Sequence, residues 1–271
     1  MTKVLINFAN IFFSKSQKYN AATGLSIGGF DRVISYRPQD IDREFFEKNR
    51  WLLSHPKGAG YWLWKPYFIK KTLNLLQDGD FLMYCDAGSH FICSVDPLIQ
   101  TCQIENQDII PFDAGLIEKI FTKRDTFILM NCDTPIYINT VQRQASFILF
   151  KKSKLTSNFL CEYLHYAQDE RIITDLENQM GAPNYPEFKE HRHDQSIFSL
   201  LTKQYNLVGH RDPSQWGNGG EQAYPHSQYG QIIQHTRTRN RSMALRSLSI
   251  ARQFLYRLRH RPHARNTYKT S

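Results

Sequence analysis

The stretch Gly79-Asp80-Phe81-Leu82-Met83-Tyr84-Cys85-Asp86-Ala87-Gly88 sets one carboxylate, Asp86, at the end of a short apolar run and beside two small residues. A run of that length bounded by turn residues reads as a buried strand of a parallel sheet. Open α/β sheets bind ligands at the carboxyl ends of such strands. Small neighbours, here Ala87 and Gly88, let a bulky phosphate approach the backbone. The plain alternative is an aspartate that caps the next turn. Upstream, Gly58-Ala59-Gly60-Tyr61-Trp62-Leu63-Trp64-Lys65-Pro66 leads into apolar residues Phe68, Ile69, Leu73 and Leu76, whose spacing predicts a helix over 67–76. Glycine freedom, aromatic rings and a lysine ahead of a helix N-terminus suit an anion or nucleotide contact through Trp64 and Lys65. Pro66 fits the first helical turn. Trp62 and Trp64 read equally well as core anchors.

Further along, His191-Arg192-His193-Asp194-Gln195-Ser196 opens a second predicted helix. Asp194 suits three roles there: a general base for a hydroxyl, a helix cap, or a contact to sugar hydroxyls. His191 and His193 alternate and could bind a cation, or lie on a loop surface. In Thr122-Lys123-Arg124-Asp125, Arg124 could grip a diphosphate bidentately while Lys123 adds point charge. The plain reading is an exposed Arg124–Asp125 ion pair of little energetic value. Asp133 reads as a further strand-end carboxylate.

The combination of GAGYWLWKP, DAG and HRHDQSIFSLL resembles the GT-A-fold glycosyltransferases. It is similar in particular to a bacterial group that builds surface polysaccharide (O-antigen or capsule), some of it linked to galactofuranose transfer. In that family a lysine-bearing helix precedes a strand whose Asp-x-Asp holds the divalent metal of a nucleotide sugar. The resemblance spans about residues 1 to 235 and implies a GT-A-like mixed α/β sheet flanked by helices. It implies a nucleotide-sugar donor, a UDP-sugar such as UDP-galactofuranose, and a lipid-linked acceptor. It also implies hexosyl transfer, with Mn²⁺ or Mg²⁺ as cofactor. Donor contacts would fall on Trp64, Lys65, Asp86, Ala87, Gly88, Lys123 and Arg124, and the base on Asp194. Metal ligands would be Asp86 and a late histidine, His210 or His235. The chain departs from the family at Gly88, which stands where the second aspartate would be. Without a metal, Lys65, Lys123 or Arg124 would have to meet the charge of the leaving diphosphate.

The elements that must hold these residues follow from the pattern. At 271 residues the chain is long enough for one large core, and 18 Phe, 14 Tyr and 4 Trp argue against disorder. Residues 4–8, 33–36, 126–130, 145–150 and 205–208 read as strands. Helices are predicted over 21–27, 40–53, 154–168 and 195–203, with a polar loop over 10–19 and loops over 180–193 and 217–230. That alternation argues for layered α/β architecture. No G-x-G-x-x-G or P-loop spacing occurs. Five cysteines, at 85, 93, 102, 132 and 161, lack zinc spacing and read as buried thiols of a reducing compartment. Met1 to Asn7 is too briefly apolar for a signal peptide, and no run is long enough to span a bilayer, so a cytoplasmic protein is expected.

Charge is unevenly placed. Ten of the 34 basic residues follow His235 with no acidic residue among them, leaving 24 basic against 25 acidic in residues 1–235. Residues 1–235 therefore read as a catalytic domain and 236–271 as a basic helical tail. Ala244, Leu248, Ala251, Leu255 and Leu258 form an apolar stripe there, a pattern of helices lying on anionic membrane. Nucleic acid is the rival ligand for such a run, and the stripe could instead pack on the body. The rival from another class is a non-catalytic α/β binding protein that uses this tail.

Overall fold

The computed structural model describes residues 1–236, so the expected tail helix lies outside the described residues. Seven strands occur among them: β1 (Lys3–Phe8), β2 (Arg32–Tyr36), β3 (Phe81–Cys85), β4 (Ser89–Phe91), β5 (Ile109–Ile117), β6 (Val141–Lys151) and β7 (Ile233–His235). Five form a mixed sheet in the order β2-β1-β3-β6-β5, and β4 pairs with β7 apart from it. Parallel pairing joins β1 to β2 and β3, whereas β6 runs antiparallel to both β3 and β5. The longer helices are α1 (Ser14–Ser26), α2 (Trp64–Leu73), α3 (Asp96–Ile104), α4 (Lys154–Ala167) and α5 (Asp194–Gln204). This is the layered α/β architecture that the pattern predicts, with the mixed sheet that the resemblance implies.

Strand periodicity sorts the core into two layers. Val4, Ile6, Phe8, Leu82, Tyr84, Ile148 and Phe150 face α2, α4 and α5, meeting Phe68, Ile69, Phe159, Leu160, Ile197 and Phe198. Their alternates Leu5, Met83, Cys85, Phe147 and Leu149 face the other layer, with Phe91, Leu98 and Ile99. Helix α4 starts at a reciprocal cap: Thr156 N–H donates to Ser153 Oγ at 3.2 Å and Ser153 N–H to Thr156 Oγ1 at 2.9 Å. Helix α1 lies so close to the sheet that a Cβ at Gly24 would collide with Leu5.

Several expectations are corrected. Residues 10–19 are not a polar loop, because α1 begins at Ser14 and buries a polar face. Gln17 Nε2 donates to Tyr36 O at 2.8 Å, and Asn20 Nδ2 to Ser89 O at 2.9 Å. The 40–53 region is not one helix; it breaks into Arg43–Lys48 and Arg50–Leu53 at Asn49. The apolar run 126–130 is helical (Arg124–Leu129), and 205–208 is a turn with Asn206 at φ 54°. Strand β5 was not expected, since Pro111 and Gly115 interrupt it; its edge place and register shifts accommodate both. Of the cysteines, Cys93 and Cys161 are exposed rather than buried. No helix among the described residues is long and apolar enough to cross a membrane.

Candidate active site

Asp86 follows β3 directly and begins a turn in which Ser89 N–H donates to Asp86 O at 3.0 Å. Its own N–H is held by Ser146 O of β6 at 2.7 Å, and 30% of its side chain is exposed. Tyr84, two residues back and so on the same strand face, donates its hydroxyl to Asp86 Oδ1. The carboxylate therefore stands at the sheet's ligand edge with its orientation set from below.

Behind it lies Lys65, only 4% exposed. Its ammonium donates to Ala145 O at 2.9 Å and pairs with Asp194 Oδ2 at 2.6 Å, while Asp86 Oδ1 lies 3.9 Å away. The last distance is an ion pair without a hydrogen bond. Lys65 also stands 5.0 Å from the centre of the Tyr84 ring. One buried ammonium thus serves two carboxylates that are far apart in the sequence.

Asp194 is 6% exposed on its side chain and forms the first residue of α5 without capping it. Tyr163 OH contacts its carbonyl oxygen at 3.2 Å and Oδ2 at 3.4 Å. Burial pushes the Asp194 carboxyl up to about 6; Asp86 adds to the rise, and Lys65 opposes it. Gln195 fixes the start of α5 on β6, accepting from Ala145 N–H at 3.3 Å and donating to Gln142 Oε1 at 2.7 Å.

The backbone that delivers Lys65 is unusual. Gly58, Ala59, Gly60, Tyr61 and Trp62 have φ of 60°, 52°, 101°, 50° and 62°, a left-handed turn. Such a turn costs a non-glycine residue roughly 1–2 kcal/mol. Compensating contacts are visible: the Trp62 ring stacks on His193 at 5.1 Å, and Trp64 Nε1–H donates to Gly58 O at 2.9 Å. His193, just before Asp194, also has positive φ, at 52°. The two segments that carry the Lys65–Asp194 pair therefore pack directly on each other.

Other candidates fall elsewhere. Trp64 is 5% exposed and stacks on Phe8 at 3.8 Å, which makes it a core anchor rather than a nucleotide platform. Lys123 Nζ donates to Leu176 O at 2.7 Å, and burial lowers its pKa. Arg124 pairs with Asp133, not Asp125, at 2.9 Å, under the ring of Tyr185. Neither Lys123 nor Arg124 makes its contacts with the Lys65 cluster, and Asp133 sits in a loop, not at a strand end. His191 and His193 are buried rather than on a loop surface, held by Ile172 O and Ile173 O at 2.8 Å each. Burial depresses both, His193 to about 4.

Of the late histidines, His210 is buried against Gln107 and Ser227. His235 lies beside the Asp86 turn: it pairs in register with Ser89, and Thr236 N–H donates to Gly88 O at 2.8 Å. Ser89 Oγ meets His235 Nδ1 at 2.5 Å. No group of three or more His, Cys, Asp or Glu able to hold a metal occurs among the described residues. Asp86 and His235 thus stand on neighbouring elements, the turn after β3 and strand β7.

Tyr84, Tyr163, Asn20 and Gln215 escape the sequence reading. Only Tyr84 had a signal, its strand-face relation to Asp86. Against known proteins, no family model matches the chain, and no curated protein matches it. Its structure is similar to the apo crystal structure of mouse xyloside xylosyltransferase 1, with TM-score 0.47 and 12% identity over 88% of this chain and 98% of that one.

Proposed function

We propose that the chain is a glycosyltransferase that moves a sugar from a nucleotide sugar to a hydroxyl acceptor. The observation that carries this reading is the partly exposed Asp86 at the ligand edge of the sheet, backed by Lys65 and Asp194. Two carboxylates held by one buried ammonium, with one facing outward, suit a site that receives a charged donor and a neutral hydroxyl. Asp86 and His235 would hold a divalent cation, whose chemistry when bound is to neutralise charge on the donor's diphosphate. Asp194 takes the proton of the acceptor hydroxyl onto its carboxylate, a task favoured by a pKa near the working pH. A UDP-sugar such as UDP-galactofuranose, a hexosyl product, a lipid-linked polysaccharide acceptor and a cytoplasmic membrane face complete the proposal, by the resemblance noted above.

The test is a thermal-shift screen against UDP-, GDP- and dTDP-sugars, with and without Mn²⁺. A donor at a hundred times its dissociation constant stabilises the native state by about 2.7 kcal/mol. A chain that no nucleotide sugar stabilises, and that consumes none, would sink the reading.

Asp194→Asn should retain donor binding while losing transfer, because deprotonation matters in the transition state rather than in donor binding. The wild-type rate should rise with pH through about 6, as Asp194 loses its proton, and the variant should lack that limb. The sign for stability is opposite. A carboxyl raised from 3.8 contributes stability at low pH that is lost as pH rises toward 6. Equal loss of donor affinity and turnover in Asp194→Asn would assign it to sugar contact.

A chain ending at Thr236 keeps the last hydrogen bond of the described fold, to Gly88. It should stay folded and lose most binding to anionic vesicles, since each removed basic residue near such a surface contributes roughly 1 kcal/mol. Vesicle binding unchanged by the truncation would remove the membrane role of residues 237–271.

A further inference from the structure

The indole of Trp216 is 75% exposed, yet its backbone is tightly fixed. Trp216 N–H donates to Ser214 Oγ at 3.3 Å and Gly217 N–H to Ser214 O at 3.1 Å. Ser214 bridges Ile233, and Gly217 lies so close to Asp212 that a Cβ would collide with its carbonyl. Gln215 ties this turn to the candidate site: its side chain donates to His235 O at 3.0 Å and accepts from His235 N–H at 2.9 Å. His235 in turn meets Ser89 beside the Asp86 turn. A rigid turn thus presents a large apolar plate to solvent, one residue from the clamp on a proposed cation ligand.

Two residues on from the plate, at Asn218, a run of bonded amides begins. Asn218 Nδ2 donates to Gln231 Oε1 at 3.0 Å, and Gln231 Nε2 donates to Gln234 Oε1 at 2.9 Å. Arg211, which precedes the turn, stands 3.4 Å from Glu221. An exposed indole on a fixed backbone, with neutral amides starting two residues away, fits a sugar ring whose C–H face would lie on the indole while its hydroxyls meet the amides.

We infer that Trp216, with Asn218, Gln231 and Gln234, is a platform for a neutral sugar unit of the acceptor. The inference rests on the glycosyltransferase reading for the word acceptor, but its test does not. The full chain, without any nucleotide sugar, is applied to an array of neutral and acidic oligosaccharides and to phosphatidylglycerol vesicles. Wild type should bind neutral oligosaccharides. Trp216→Ala should weaken that binding at least tenfold, Trp216→Phe should keep most of it, and Gln231→Ala should weaken it with the thermal midpoint unchanged. The platform is overturned if no neutral oligosaccharide binds, or if Trp216→Ala binds as wild type does. It is also overturned if the indole proves to matter only for vesicles. Trp216-dependent glycan binding in a chain that consumes no nucleotide sugar would sink glycosyl transfer and leave the platform standing.

Discussion

Lys65→Met should destabilise the protein by about 3–5 kcal/mol near neutral pH and abolish turnover. Removing one partner of a buried pair leaves the other charge uncompensated, and that is where losses of this size arise. Lys65 and Asp194 are 4% and 6% exposed, so bulk water screens the stranded carboxylate poorly. The loss must depend on pH. Asp194 is already raised to about 6 with Lys65 present, and without it the carboxyl rises further. The variant's folded state then holds its proton over a wider range, and its stability falls as pH climbs through that window. Urea unfolding should show a much smaller deficit at pH 5 than at pH 8. Adding Asp194→Leu to Lys65→Met should return part of the stability, because both charges are then gone. A deficit that is equal at both pH values would mean that Asp194 is not the group left stranded.

What the sequence reveals and what it hides divide along physical lines. Strand β3 and Asp86 were legible because a short apolar run between turn residues has few other readings. Lys65 and Asp194 each stood out beside a glycine-rich or polar motif, but nothing local says that they meet. That contact depends on the left-handed turn at 58–62 and on Trp62 stacking against His193. Helix α1 was half missed because its inward face is polar: Gln17 and Asn20 hydrogen-bond to backbone carbonyls at the ends of strands and turns, so no apolar periodicity marks the helix. The run 126–130 is too short for periodicity to separate helix from strand, and there the tertiary partner Ile172, which accepts from Thr126 Oγ1 at 2.9 Å, decides. The choice between His210 and His235 turns on strand pairing. Only β4–β7 pairing brings one of them to the Asp86 turn.

Asp86→Asn should leave the fold intact and lower transfer by two to three orders of magnitude or more. The stability effect is small for three reasons. The side chain is 30% exposed, Lys65 lies 3.9 Å from it without a hydrogen bond, and an amide oxygen can still accept from Tyr84. The effect on chemistry is large because Asp86 is the carboxylate at the ligand edge placed to hold the cation that would neutralise a donor's diphosphate, with Gly88 where a second ligand could stand. Losing one well-placed electrostatic group in an active site typically costs about 10²–10³ in rate. If Asp86 instead only caps its turn, the asparagine would serve as well, since its side-chain oxygen accepts the same bonds. The measurement is turnover together with donor affinity in purified Asp86→Asn, its thermal midpoint confirming the fold. Raising Mn²⁺ should recover some donor binding if the carboxylate is a cation ligand. Near-normal turnover at ordinary Mn²⁺ would leave Asp86 as a turn residue and move the chemistry away from this strand end.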